Sequence, residues 1–180
     1  MLPEAHVFIA TSLDGYIAEA DGGIGWLTGL PVPAGEDHGY AAFMAGIDAV
    51  LMGRATWDKV LTFGDWPFAV PVTVLSRTLP QGVLREDVPG GVSARGDGPR
   101  AALEAMAAAG ARRVYVDGGQ VITACLRDGL VSRLTVTRVP VLLGAGLPLF
   151  GACGAHGLRH VETRVWAHGF VQSVYELPRG

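Results

Sequence analysis

The stretch Ala49–Trp57, AVLMGRATW, decides how the chain is read. Ala49 to Met52 form an unbroken apolar run, which reads as a buried strand. A glycine, a fixed cation and a hydroxyl follow at once. Gly53 permits close backbone approach, Arg54 offers a guanidinium and Thr56 a hydroxyl beside a helix start. The first N–H groups of a helix and its positive dipole end favour anions, so this strand end suits phosphate oxygens.

Working outward, strands and helices alternate. A first strand, His6–Ala10, is bounded by the SLDG turn at 12–15, and a third, Val72–Ser76, ends at Ser76-Arg77. Short helices are expected over 39–45, where Tyr40, Phe43 and Met44 cluster on one side and Gly46 stops the turn, and over 54–61. An alanine-rich helix spans 100–109, a strand runs to Asp117 before a double glycine, and a helix covers 120–129. A long strand over 130–144 and two alternating strands within 158–177, joined near Gly169, close the chain. The linker at 84–99 holds at most one short strand, near Val92. The Gly- and Pro-rich stretch 19–37 holds neither helix nor long strand, and a loop of that length marks a candidate lid, Asp21–Gly35. The order predicts an α/β domain over 1–180 with a mixed, mostly parallel sheet covered by helices on both faces and antiparallel strands at one edge.

Composition excludes several classes. With 14 Lys+Arg against 17 Asp+Glu, a net charge of −3 and no basic cluster, the chain does not look like a nucleic-acid binder. Cys125 and Cys153 are too few for a disulfide framework or metal cluster, and no metal is expected. The N-terminus lacks a basic leader and no apolar run approaches the ~20 residues of a membrane-spanning helix, so a cytoplasmic protein is expected. The 49% hydrophobic content suggests that a second copy covers part of the surface.

In an open α/β sheet ligands sit outside the carboxyl ends of the strands. Gly53-Arg54-Ala55-Thr56, Ser76-Arg77 and Asp117-Gly118-Gly119-Gln120 are three such ends, and together they suggest a dinucleotide, with Arg77 suited to an extra phosphate. Gly144 and Gly146 in LLGAGLPLFG imitate a dinucleotide fingerprint, but Pro148 and the lack of a following helical pattern make that stretch a structural turn.

The order SLDGYIA, DAVLMGRATW, VLSRT, VYVDGGQVI, PVLLGAGLPLF resembles the dihydrofolate reductase superfamily over nearly the whole chain. The branch it resembles is the C-terminal reductase domain of the bacterial bifunctional riboflavin biosynthesis deaminase/reductase. That resemblance implies a three-layer dihydrofolate-reductase-like fold and NADPH as cofactor. Gly53, Arg54 and Thr56 match the family's phosphate-binding turn, Ser76 and Arg77 its 2′-phosphate contact, and Gly118, Gly119, Gln120 and Val121 its pyrophosphate loop, with Ile17 near the nicotinamide. Asp117 stands where folate reductases carry a first glycine, which shifts weight from folate towards the riboflavin branch. Asp14 in the S-x-D-G turn, Trp26 and Asp37 would border the substrate. Asp14 also fits an ordinary Asp-Gly turn, and Asp37 a helix-starting acid worth only ~0.3–1 kcal/mol.

The expected activity is transfer of a hydride from NADPH to a C=N or C=O group of a small, pterin- or pyrimidine-like substrate. The alternatives are a riboflavin-pathway reductase acting on a ribosylaminopyrimidine phosphate, and a non-catalytic nucleotide- or drug-binding protein on the same fold. A homodimer is expected from the apolar composition and the habit of the riboflavin-type relatives. Replacing Arg77 by Ala should weaken NADPH binding far more than NADH binding in a fluorescence titration, because only NADPH carries the extra phosphate; equal losses would remove that assignment.

Overall fold

The computed structural model describes residues 1–178. In chain order its elements are β1 (Glu4–Thr11), β2 (Tyr16–Ala18), α1 (Gly25–Thr28), α2 (Tyr40–Met44), β3 (Ala49–Gly53), α3 (Arg54–Val60), β4 (Val72–Leu75) and β5 (Gly82–Arg85). Then come β6 (Val92–Arg95), α4 (Pro99–Ala108), β7 (Arg113–Asp117), α5 (Gly119–Arg127), β8 (Val131–Arg138), β9 (Leu147–Pro148), β10 (Arg159–Val165) and β11 (Val171–Glu176).

Among the described residues these strands form one nine-stranded sheet, ordered β10-β11-β8-β1-β7-β3-β4-β6-β5, and a small pair, β2 with β9. The stretch from β8 to β6 is parallel, and the edges β10-β11-β8 and β6-β5 are antiparallel. This is the α/β fold expected from the sequence. Parallel strands demand crossovers that cover both faces. Hence β3 is buried from Ala49 to Met52 without alternation, its side chains dividing between two cores.

On one face α4 and α5 seat Leu103, Met106, Ile122 and Leu126 against Val7, Leu51, Val114 and Val116. Their buried positions recur at helical spacing: Ala102, Leu103 and Met106 in α4, and Val121, Ile122, Cys125 and Leu126 in α5. On the other face α3 and the segment around α2 seat Trp57, Val60 and Ile47 against Val50, Met52, Val74 and Tyr115. Pro99 opens α4, where its missing N–H breaks no helical bond, and Gly110 at φ 97 lies just past its end.

Three sequence expectations need correction. The linker at 84–99 was expected to hold one strand at most, yet Gly82–Arg85 pairs antiparallel with β6, because the exposed edge beside Val92–Arg95 offers free backbone groups. The Gly- and Pro-rich stretch 19–37 contains one helical turn, α1, short enough to fit between Gly25 and Gly29. The long strand expected over 130–144 ends at Arg138. Beyond it the chain turns, and Leu147–Pro148 pairs with β2. No helix follows Gly144 and Gly146, as Pro148 led us to expect. Among the described residues no helix is long and apolar enough to cross a membrane.

Ile122 is fully buried between α5 and the sheet. Replacing it by Ala should lower stability by about 2–5 kcal/mol in urea unfolding, without a change in far-UV circular dichroism.

Candidate active site

The strand order places β7, β3 and β4 side by side and parallel, so their carboxyl ends share one edge. Met52 stands opposite Asp117, and Gly53 opposite Leu75. The three sequence segments suited to phosphate are therefore neighbours. A Cβ at Gly53 would lie 3.1 Å from Val121 Cγ2, so the turn after β3 rests on the first turn of α5.

Gly118 adopts φ 93, in the region that favours glycine, and a Cβ there would collide with Thr56 Oγ1. A Cβ on Gly119 would lie 2.9 Å from Pro148 O and 3.0 Å from Ile17 Cδ1. The two glycines thus let the start of α5 fit between α3 on one side and the β2-β9 pair on the other. The N–H groups of the first turn of α5 have no side-chain cap among the described residues, a condition that anion sites at helix starts require. Gly53, Thr56, Gly118, Gly119, Val121 and Ile17 are brought together, with Val121 buried beneath the turn and Gln120 exposed beside it.

Two candidates serve local structure as well. Ser76 Oγ accepts the N–H groups of Thr78 and Leu79 at 3.2 Å and shapes the turn after β4. Arg54 Nε donates to Asp58 at 2.8 Å along α3. Arg77 is exposed and lines a groove of about 680 Å³ with Gln81, Ser93 and Arg95, whose guanidinium pairs with Asp97.

The substrate-side carboxylates behave differently from one another. Asp14 accepts the Ser12 hydroxyl at 2.6 Å, Gly144 N–H at 2.7 Å and Leu143 N–H at 3.2 Å. It pins the turn after β1 to the loop after β8, and the Ser12 bond chiefly holds its carboxyl below the ordinary range. Asp37 accepts Gly39 N–H and Ala41 N–H, both at 2.8 Å, and these bonds also hold it low. Both carboxylates are exposed and stay ionised at neutral pH. Trp26, half-buried in α1, has its indole N–H buried with no acceptor among the described residues.

Asp117 is the acid whose chemistry sequence reasoning missed; there it opens the glycine turn and marks the riboflavin branch, with no role for its carboxyl. Burial pushes its carboxyl from the ordinary 3.8 up to about 6, against the partial opposition of Gly118 N–H and the neighbouring Tyr115 hydroxyl. Gly118 N–H donates to its Oδ1 at 2.8 Å. Its environment is aromatic. Burial pushes the Tyr40 hydroxyl up to about 12, with Asp117 contributing, and raises Tyr115 well above its usual value. Phe8 packs edge-on against Tyr40 at 5.7 Å, and its carbonyl accepts the Tyr115 hydroxyl at 3.1 Å. A signal was present in RVYVD, because Tyr115 and Asp117, two apart on a strand, point to one face while Val114 and Val116 point to the other.

A nine-stranded mixed sheet with these strand ends defines an α/β protein of the dihydrofolate-reductase-like fold. Residues 3–171 match the RibD C-terminal domain, and the chain belongs to that family. It is 31% identical over 148 residues to the uncharacterised protein YwjB of Bacillus subtilis (strain 168), covering 80% of each chain. Among solved structures it is similar to a protein from Shewanella sp. PV-4, provisionally described as a riboflavin biosynthesis protein, at 36% identity and a TM-score of 0.89, covering 99% of this chain and 100% of that one. A Thermotoga maritima diaminohydroxyphosphoribosylaminopyrimidine deaminase/5-amino-6-(5-phosphoribosylamino)uracil reductase shares the fold at a TM-score of 0.72 and 15% identity, with 98% of this chain spanning 57% of that one.

The folded protein holds the Asp117 proton more tightly than the unfolded chain does, so its ionisation destabilises the fold as pH rises from 3.8 through about 6. Replacing Asp117 by Asn should therefore raise stability at pH 7, by on the order of 2 kcal/mol, and leave it nearly unchanged below pH 4. Urea unfolding at the two pH values reads the difference, and an equal effect at both would contradict the buried-acid assignment.

Proposed function

We propose that the protein is an NADPH-dependent reductase of a pyrimidine-like heterocycle. The observation that carries this reading is the junction at the end of β7. There an uncapped helix start, cleared of Cβ atoms by Gly118 and Gly119, adjoins a carboxyl that retains a proton near neutral pH.

The residues fit a dinucleotide. The N–H groups of Gly119, Gln120 and Val121 and the Thr56 hydroxyl would take the pyrophosphate, Ser76 and Arg77 the 2′-phosphate, and Ile17 would border the nicotinamide. NADPH supplies a hydride to an electrophilic carbon, and the protein orients the partners. The chain must then provide a proton for the atom that receives the electron pair. Asp14 and Asp37 are held ionised, whereas Asp117 shares its time between acid and carboxylate near pH 6. With Oδ1 already accepting Gly118 N–H, the proton belongs on Oδ2, from which it passes to the nitrogen or oxygen of the reduced C=N or C=O group. Phe8, Tyr40 and Tyr115 lend a flat aromatic lining suited to a heterocycle. Asp14 and Asp37 would act as positioning residues that fix the loops around the cleft. A ribosylaminopyrimidine phosphate is the first substrate to try, because relatives on this fold are named for that chemistry. The homodimer is also a proposal. It is supported by the antiparallel β10-β11 edge, where Val161, Val165 and Val171 are exposed.

NADPH consumption with that pyrimidine and a panel of pterins and imines should fall as pH rises through about 6, because the acid must hold its proton. Asp117→Asn should lower the rate about 10²–10⁴-fold and flatten that limb while leaving NADPH affinity intact. Tight binding of NADPH with no oxidation under any substrate would favour the non-catalytic alternative.

A further inference from the structure

A cluster outside this cleft ties the loop ahead of α2 to the turn between β10 and β11. His38 Nε2 and His168 Nε2 stand 2.8 Å apart. The His38 ring stacks on Phe170 at 4.7 Å and meets Trp166 edge-on at 5.0 Å. Glu36 accepts His38 N–H at 2.7 Å and Trp166 Nε1–H at 3.1 Å, while the buried Gln172 amide donates to His38 O at 3.1 Å. We propose that His38 and His168 form a proton-operated latch that holds this loop on the β10-β11 turn at neutral pH and releases it on acidification.

Two imidazoles bonded through Nε2 need one N–H between them, one ring donating and the other accepting through its lone pair. A single added proton is tolerated, since N–H⁺ still finds an acceptor. A second places two cationic N–H groups face to face at a distance where they repel. The second proton therefore opens the pair.

The surroundings oppose that second proton. The charged groups facing His38 are Glu36 and Asp37 from its own loop and His168 from the turn, while Phe170 and Gln172 behind it carry no charge. Burial, together with His168, outweighs the two carboxylates and holds His38 below its ordinary 6.5. Because the closed form binds protons less tightly than the open one, closure is favoured above pH 6.5 and lost as pH falls below it.

His38 also sits at φ 54, the sole non-glycine residue with positive φ among the described residues. Such a conformation persists only where surrounding contacts impose it, so release lets the backbone relax. The loop leads directly into α2 and Tyr40, whose hydroxyl feels the Asp117 carboxyl, so opening would loosen the support of that side chain. The latch does not depend on the reaction proposed above.

An NMR titration of the intact protein from pH 7.5 to 5 tests it, following both imidazoles and the Trp166 indole N–H, assigned with Trp166→Phe. The expected result is coupled titration of the two rings, with the indole signal leaving its Glu36-bonded position in step with the lower transition. His168→Gln keeps a hydrogen-bonding partner but removes the second charge. In it the His38 midpoint should move upward and the indole step should vanish from this range. His38→Asn, chosen because Asn tolerates the left-handed region, should likewise abolish the indole step in a folded protein. Independent titration of the two rings, an indole that ignores pH, or an unmoved His38 midpoint in His168→Gln would overturn the proposal. So would a change in either ring on adding EDTA to protein as purified, which would indicate a bound metal instead of a shared proton.

Discussion

The close approach of the turn after β7 to the first turn of α3 is the constraint from which the rest of the site follows. Gly118 faces Thr56 with no room for a side chain, at a backbone angle that glycine adopts freely, and Gly119 is enclosed by Ile17 and Pro148. Two helix starts can crowd one strand edge only if the atoms between them are removed. The neighbouring parallel strand β4 brings Ser76 and Arg77 to the same edge. The sheet order and the glycines are two aspects of one packing solution.

The carboxylates show how environment separates residues of the same type. Asp14 and Asp37 lie in solvent-exposed turns and receive two or three hydrogen-bond donors each, which stabilises the charged form. Asp117 receives a single backbone donor and lies against Tyr40 and Tyr115. Desolvation dominates there, and the neutral acid becomes accessible near neutral pH. The first two order loops and the third is suited to giving up a proton. A buried acid destabilises the fold at pH 7, a cost that proteins commonly carry at functional positions.

The half of the sheet beyond β1 has a different character. β8, β11 and β10 pair antiparallel, and polar groups there form specific ties, such as Gln172 bridging Thr137 and the His38 carbonyl. The loop ahead of α2 is attached to this half through His38 and Glu36, so the segment leading into Tyr40 is braced from a part of the chain some 130 residues away in sequence.

Much of the fold was legible in the residues. An unbroken apolar run at Ala49–Met52, a β-branched run at Val72–Leu75, glycines after helices and an alternating C-terminal pair announced a parallel sheet with an antiparallel edge, because local periodicity and burial follow the same rules everywhere. The glycine turns at the ends of β3 and β7 were legible for the same reason, since glycine, hydroxyl and cation types are local properties. The strand at Gly82–Arg85 and the helical turn at Gly25–Thr28 were not, because an edge strand draws its stability from its neighbour and a four-residue helix from its surroundings. The chemistry of the carboxylates was equally hidden. Asp14, Asp37 and Asp117 are alike as letters, and only the folded chain determines which is bathed in donors and which is desolvated. The pairing of His38 with His168 belongs to the same class. Sequence by itself determined most of the central strands, the sheet type and the glycine-rich turns at the strand ends. Tertiary structure decided which acid holds a proton and which loops are tied together, because pKa values and long-range contacts depend on what lies around a side chain in space.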